Sequence, residues 1–227
     1  MFRCEEDQMQ IHGDPEEDRI VLASRELKVL AALGYSMNQS MRIVSEKLRL
    51  RREEIFAVRK VMRWPDEALR NALKKIPPWL VEERLLKVDG YNVLQTIDAL
   101  LSGEPVYIST DGFLRDIRSS YRSLKGARLE RALDVLVNEL SSLSPREVEI
   151  VFDSQISRSG ELARRATEEL FSAGLRGRGI TEKSVDLYVS DADISASSDS
   201  VIISKAKAVV DLPELVLQRV GRRAIRI

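Results

Sequence analysis

Aspartates that follow short apolar runs are the first candidates for chemistry in this chain of 227 residues. Five such runs between residues 85 and 210 are each followed closely by an aspartate, namely Asp89, Asp111, Asp153, Asp191 and Asp211. In an open parallel sheet the ligand site lies beyond the carboxyl ends of the strands, so these side chains are expected to converge there. Clustered carboxylates repel one another unless a cation offsets their charge, and oxygen ligands suit Mg²⁺ or Mn²⁺.

A structural role competes with this interpretation at every one of these positions. Aspartate is common in the loops between strands and helices because its side chain caps the helix that follows, and for any single aspartate the cap is the simpler explanation. Asp211 precedes Leu212-Pro213, which favours a cap because proline suits the first turn of a helix. Asp111 precedes Gly112, which favours a turn.

The composition excludes several other kinds of site. The chain has a single cysteine, Cys4, and a single histidine, His12, so an intrachain disulfide, a zinc site and a histidine-based triad are not expected. No apolar run approaches the roughly 18 residues that span a bilayer, so we expect no membrane partner. The acidic start of the chain lacks the basic and apolar stretches of a secretion signal, which favours a cytoplasmic location.

The elements that must position these residues fall into two regions. Residues 1–84 show helical spacing of apolar residues, with a capping box at Ser36 and Gln39, and predict a small all-α domain. Residues 85–227 alternate apolar runs with helical segments near 92–101, 126–142 and 160–173, and predict an α/β domain of three layers with a mainly parallel sheet. The five predicted strands are Leu85–Val88, Val106–Ile108, Val148–Phe152, Val185–Val189 and Ala208–Val210.

Three segments of the second region resemble the motifs of the NYN and PIN-like nuclease superfamily. Asp89-Gly90-Tyr91-Asn92 is similar to its first motif, in which a strand ends in Asp-Gly-x-Asn. Val151-Phe152-Asp153 is similar to its second acidic strand end, and Ser197-Ser198-Asp199 to its late Ser/Thr-x-Asp segment. The whole chain also resembles a largely archaeal family that joins a helical domain to such a PIN-like domain.

The resemblance implies a metal-dependent ribonuclease that hydrolyses phosphodiester bonds. Asp89, Asp153 and Asp199 would hold Mg²⁺ or Mn²⁺, with Asn92 completing the catalytic set and Asp193 and Asp116 in support. The chain departs from the family pattern in its acidic helix, where only Glu161 is available, and in the insertion from Asp111 to Asp116. An incomplete acidic set leaves open a module that binds RNA or assembles with partners without cleaving.

A second resemblance concerns Asp191-Ala192-Asp193, which is similar to the Asp-x-Asp motif of Toprim domains. That fold expects a glutamate after its first strand, where this chain has Asp89, and we rank it below the PIN-like interpretation.

Positive charge for an RNA partner is concentrated in residues 42–63, which hold eight lysines and arginines against three glutamates. The candidate phosphate contacts are Arg49, Arg51, Arg52, Arg59 and Lys60, together with Arg158 near the predicted site. Solvated helix faces and salt bridges explain such clusters equally well. The formal net charge of zero does not decide the matter, and a homodimer is compatible with the sequence.

Overall fold

The computed structural model describes residues 15–118 and 126–227. Cys4, His12 and the acidic residues 5–14 lie outside this range, and the side chains of residues 15–18 are likewise not described.

The N-terminal region is helical, as predicted. It contains α1 (Pro15–Ala32), α2 (Met37–Leu48), α3 (Arg52–Val61) and α4 (Pro65–Ala72), followed by a 3₁₀ turn at Pro78–Val81. The predicted capping box is confirmed, since Ser36 accepts from the backbone of Gln39 and the Gln39 side chain accepts from the backbone of Ser36. Buried residues of α1, α2 and α3 form one apolar cluster, which also includes Tyr107 from the first strand of a small sheet. The predicted domain boundary at residue 84 stays a prediction.

The remainder of the chain alternates strands and helices. In chain order these are β1 (Leu85–Asp89), α5 (Gly90–Leu101), β2 (Val106–Ile108), β3 (Leu114–Asp116), α6 (Ala127–Leu143), β4 (Glu147–Asp153), α7 (Ser159–Ser172), β5 (Gly177–Glu182), α8 (Val185–Ser190), β6 (Ile194–Ala196), α9 (Ser200–Lys205), α10 (Leu212–Arg219) and β7 (Ile225–Arg226). The three predicted helical segments correspond to α5, α6 and α7.

The strands form two sheets. The larger one has the order β5-β4-β1-β6 and is parallel throughout, which confirms a mainly parallel sheet in a mixed α/β structure. The smaller one has the order β3-β2-β7. The larger sheet is covered on both faces, because Val88 and Ile150 belong to the main core while Val151 packs with Val189 of α8 and Ile202 of α9.

The fourth and fifth predicted strands are wrong. Residues 185–189 lie in α8, where Val185, Tyr188 and Val189 have the spacing of one helix face and pack under the sheet. Residues 208–210 form no named strand, and Val209 makes only isolated bridges to Lys75 and Ser195.

Strand β5 was not predicted because it contains two glycines and no apolar run. A Cβ atom at Gly179 would overlap the backbone of Ala163 in α7, so this glycine allows the helix to pack directly on the edge strand. The close helix contact explains why the strand lacks the bulky residues that normally identify one.

Candidate functional site

The carboxyl ends of the central strands meet at one edge of the larger sheet. The chain passes from β1 to β4 and β5 on one side and then returns to place β6 on the other side of β1. A reversal of this kind opens a crevice beyond the strand ends, which is where ligands bind in open α/β sheets. Asp89 ends β1, Asp153 ends β4, and Ser197, Ser198 and Asp199 follow β6.

The turn from β1 into α5 fixes the position of Asp89. Its side chain caps α5 by accepting a hydrogen bond from the backbone N–H of Asn92, with 3.4 Å between Oδ1 and N. Gly90 lies against the ring of Phe152 on β4, and a Cβ atom at this position would overlap that ring. The glycine therefore lets the helix begin directly above the neighbouring strand.

A hydrogen-bond network joins the β1 and β6 ends of the crevice. The Ser197 hydroxyl lies 3.0 Å from Oδ2 of Asp89, to which it donates, and 3.3 Å from Oδ1 of Asn92. The same Asn92 oxygen accepts from the backbone N–H of Ser198 at 2.8 Å and from its hydroxyl at 3.0 Å. The backbone N–H of Asp199 donates to the Ser197 hydroxyl oxygen at 3.0 Å. These contacts hold Asp89, Asn92 and Asp199 in one unit, which does not include Asp153 of the second motif.

This unit lies in a cavity of about 570 Å³ that also involves α3 and α8. Five aspartates contribute to its lining, namely Asp89, Asp116, Asp153, Asp186 and Asp199. The remaining lining residues include Phe56 and Lys60 from α3, Arg118 after β3, and Lys183, Leu187 and Lys205 around α8 and α9. A volume in this range is typical of small-ligand sites.

The carboxylates in this cavity are electrostatically coupled. Burial raises the pKa of Asp89 to about 7. The hydrogen bonds from Ser197 and Asn92 act in the opposite direction and lower this pKa, whereas the negative charges of Asp199 and Asp186 raise it further. Desolvation and the charge of Asp199 raise the pKa of Asp186 above its usual range. The positive charge of Lys205 partly offsets this rise, and Asp153 adds a smaller contribution to it. The cavity therefore concentrates negative charge around one buried carboxyl group.

Asp89 differs from the other buried acidic residues in lacking a cationic partner. The described parts of the chain contain eight buried carboxylate side chains. Seven of them form an ion pair, namely Glu54 with Arg19, Asp98 with Arg118, Asp111 with Arg115, Asp116 with Lys60, Glu139 with Arg219, Glu149 with Arg178 and Asp211 with Lys75. Among these eight, Asp89 alone has no lysine or arginine partner within ion-pair distance. A buried carboxylate without a counter-charge is costly, so this position calls for another cation or a proton.

Carboxylate oxygens are the ligands that a hard metal ion prefers, and five aspartates contribute to the lining of the cavity. Within residues 15–118 and 126–227, however, no group of three or more His, Cys, Asp or Glu side chains is arranged so that it could hold a metal ion. Asp153 and Asp199 are half-buried, and each accepts a backbone hydrogen bond, Asp153 from Gln155 at 2.8 Å and Asp199 from Val201 at 2.6 Å. Asp199 thereby caps α9, in the same way that Asp89 caps α5. Asp186 is exposed.

Two of the predicted supporting ligands do not fit that role. Asp193 is exposed and precedes β6, and because β6 runs parallel to β1 this position lies at the opposite edge of the sheet. Asp116 does line the cavity, but its oxygens already accept from Lys60, Gln95, Thr96 and the backbone of Arg118. Asp116 thus acts as a structural anchor for α3.

The competing capping interpretation is confirmed for Asp211, which accepts from the backbone of Glu214 at the start of α10. The turn predicted at Asp111 is confirmed, since the backbone N–H of Gly112 donates to the backbone oxygen of Ser109. Asp111 is also fully buried and pairs with Arg115 through two nitrogens. The Toprim-like motif at Asp191 and Asp193 follows helix α8, where that interpretation requires a strand.

The predicted phosphate contacts divide into two groups. Lys60 lines the cavity but is engaged with Asp116. Arg49, Arg51, Arg52 and Arg59 are exposed and are not part of the cavity lining.

The sixth predicted contact, Arg158, follows β4 and is exposed. It pairs with Glu161 in the first turn of α7, with 2.9 Å between the two side chains. Glu161, which the family pattern offered as the remaining acidic residue of that helix, is likewise exposed and outside the cavity lining.

Several cavity residues were missed in the sequence. The sequence analysis missed Asp186 because residues 185–189 have the apolar composition of a buried strand. The aspartate inside this run is the one signal that favours a helix with an exposed face. Ser197 was included only as part of a motif, and Lys183 and Lys205 belong to segments without any recognisable pattern. None of the ion pairs in the described chain involves either lysine.

Among the described residues, no helix combines the length and the apolar composition required to span a bilayer.

Comparison with known proteins places this site in a family. The chain is 27% identical over 195 residues to a protein of Methanocaldococcus jannaschii described as uncharacterized protein MJ0935, covering 84% of this chain and 92% of the relative. No solved structure matches. The family model for a domain of unknown function, DUF5616, matches residues 80–215, which is more than half of the chain and includes Asp89, Asn92, Asp153 and Asp199. The chain therefore belongs to the DUF5616 family.

Proposed function

We propose that this protein is a metal-dependent nuclease of the PIN-like type that hydrolyses phosphodiester bonds in RNA. The observation that carries the proposal is the position of Asp89, a buried carboxylate without an ion-pair partner, in a cavity lined by four further aspartates. Lys183 and Lys205 also line the cavity, but neither lies within ion-pair distance of Asp89. A divalent cation offsets the charge of the aspartates, and a phosphate group supplies anionic oxygens that the cation can bind.

Asp89, Asp153 and Asp199 would hold the cation, with Asp186 as a further carboxylate in the same cavity. When bound, Mg²⁺ or Mn²⁺ lowers the pKa of a coordinated water and stabilises negative charge on phosphate oxygens. Asn92 and Ser197 keep the Asp89 oxygens in place through their shared hydrogen bonds.

The substrate's charge is met by lysines at the cavity. Lys183 and Lys205 line it without being engaged in ion pairs of the described chain, so their ammonium groups are available to phosphate oxygens. Lys60 and Arg118 are committed to acidic neighbours, and their role is to shape the cavity wall.

The test is a cleavage assay on single-stranded RNA with metal-stripped protein to which Mn²⁺ or Mg²⁺ is returned. We expect metal-dependent cleavage by the wild type and its loss in Asp89→Asn. Asp193→Asn is the matched control, because it removes an exposed aspartate at the other edge of the sheet and should cleave normally. Absence of cleavage of any RNA or DNA by the metal-loaded wild type would refute the proposal.

A non-catalytic RNA-binding or assembly module is the second candidate, and one observation favours it. No three acidic side chains in the described residues form a ready metal-ligand group. This alternative predicts salt-sensitive RNA binding that is equal in the wild type and Asp89→Asn, without turnover in either.

A further inference from the structure

Phe56 is an exposed aromatic residue in the wall of the acidic cavity. The same helix, α3, buries Ala57, Val58 and Val61 in the helical core, whereas Phe56 is 40% exposed and faces the cavity. Lys60 lies one turn further along and lines the same cavity. The apolar core therefore does not account for a phenyl ring at this position.

The position of Phe56 relative to Asp89 is fixed by the contacts of Lys60. The Lys60 ammonium group lies 3.3 Å from both carboxylate oxygens of Asp116 and 3.0 Å from the backbone oxygen of Arg118, and donates to this cluster. Asp116 in turn accepts from Gln95 and Thr96 on α5, the helix that Asp89 caps. Helix α3 is thus tied to the helix that begins at the candidate site.

The cavity consequently presents three chemically different groups to one ligand. Phe56 offers a flat apolar surface, Lys183 and Lys205 offer positive charge, and the aspartates offer hard oxygen ligands for a cation. A nucleotide matches all three, since its base has a π face and its phosphate is anionic and binds divalent cations. In a duplex both faces of a base are covered by its neighbours, so an unpaired nucleotide fits better.

We propose that Phe56 stacks on an unpaired base of single-stranded nucleic acid whose phosphate lies at the acidic cavity. The inference rests on the proposed function for the identity of the phosphate-bearing substrate. It adds that single-stranded rather than duplex nucleic acid is recognised, and that Phe56 recognises it. Phe56 lies on α3, outside the segment that the family model matches.

Binding is measured first, with Ca²⁺ as the hard cation in place of Mn²⁺ or Mg²⁺, by fluorescence anisotropy of an end-labelled single-stranded oligoribonucleotide. The oligoribonucleotide carries a fluorescent adenine analogue that is quenched by stacking. We expect Phe56→Ala to weaken binding by about fivefold or more and to remove the quenching, since one stacked base contributes roughly that much. Phe56→Trp should retain both signals. Phe171→Ala is the matched control, because Phe171 is 82% exposed on α7 and lies outside this cavity.

The second measurement separates this inference from the proposed nuclease activity. With Mn²⁺ present, KM for single-stranded RNA should rise in Phe56→Ala and stay unchanged in Phe171→Ala. Phe56-dependent binding by a wild type that cleaves nothing would support stacking and refute the nuclease. Cleavage with the same KM in Phe56→Ala as in the wild type, binding of duplex as tight as that of single strands, or a wild type that neither binds nor cleaves single strands would each overturn the stacking proposal.

Discussion

Replacing Asp89 by asparagine should make the protein more stable at neutral and alkaline pH. Asp89 is 9% exposed and has a pKa of about 7, compared with 3.8 for an unperturbed aspartate. Since the folded-state pKa is raised, the folded protein retains a proton that the unfolded chain has lost between these values. The stability of the wild type therefore falls as the pH rises from about 4 to about 7, and it stays low above that.

The size of the effect follows from this pKa difference. About three pKa units correspond to about 4 kcal/mol of unfolding free energy at pH 8, and at pH 5 the same linkage gives about 2 kcal/mol. The stabilisation by Asp89→Asn relative to the wild type should thus grow by about 2–3 kcal/mol between these two pH values. The change with pH is the informative quantity, because contacts altered equally at both pH values cancel.

The local hydrogen bonds can accommodate the amide. Its oxygen can accept from the backbone of Asn92, and its nitrogen can donate to the Ser197 hydroxyl oxygen. The Ser197 hydrogen then turns towards Oδ1 of Asn92, which lies 3.3 Å away. The second N–H of the amide has no acceptor among these groups, so we expect a structural cost of about 1–3 kcal/mol, which is the same at both pH values.

The assay is urea unfolding at pH 5 and pH 8 without divalent metal, followed by far-ultraviolet circular dichroism. Asp193→Asn is the control, and its stability difference from the wild type should be the same at both pH values. If the difference between Asp89→Asn and the wild type does not grow with pH, Asp89 is not a buried carboxylate of raised pKa and the reasoning about its missing counter-charge fails.

Two further predictions concern the stability of the packing and ion pairing around the site. Gly90→Ala should destabilise the protein by about 1–3 kcal/mol, because the added methyl group overlaps the ring of Phe152. The control is Gly160→Ala, at a helical position with no neighbouring atoms, which should be neutral or stabilising. Both are measured by chemical denaturation. Arg115→Met should cost about 3–5 kcal/mol, since it leaves the buried Asp111 with hydrogen bonds from Asn71 and Ser109 but without a counter-charge. Burial alone would raise the pKa of Asp111, but the hydrogen bonds and charge of Arg115 hold it well below its usual range. Combining Arg115→Met with Asp111→Asn should therefore recover stability, and a double variant as unstable as the single one would contradict this explanation.

The parts of the site carried by strands β1 and β4 could be predicted from the sequence. Leu85–Asp89 and Glu147–Asp153 are buried strands in a parallel sheet, and parallel strands bring their carboxyl ends to one edge. A continuous apolar run followed by aspartate identified Asp89 and Asp153 as strand ends. The same pattern also selected Asp111, Asp191 and Asp211, none of which ends a strand of the larger sheet. The Asp-Gly-x-Asn spacing added Asn92, whose contacts with Ser197 and Ser198 the structure displays.

The rest of the site depends on whether a residue comes before or after a strand and on which face of a helix it occupies. A short segment of sequence does not determine either of these. Asp193 was predicted to follow a strand but precedes one, because an apolar run of five residues folded as helix α8. The same error concealed Asp186, which an exposed helix position brings into the cavity. Ion-pair partners were equally hidden, since Lys60 and Asp116 are 56 positions apart and meet only through tertiary packing.

The contrast between Asp89 and Asp116 indicates that the two buried aspartates among the five that line this cavity have different roles. Both are buried and both line the same space, yet Asp116 receives a lysine, two side-chain donors and a backbone N–H, while Asp89 receives one hydroxyl and one backbone N–H. A chain with equal numbers of acidic and basic residues does not lack cations for Asp89. Its sequence instead surrounds that carboxylate with Asp199 and Asp186, which raises the cost of folding. Unfavourable charge placed at the crevice of an open sheet is characteristic of binding and catalytic sites, and it is the reason to look for the function of this protein at Asp89.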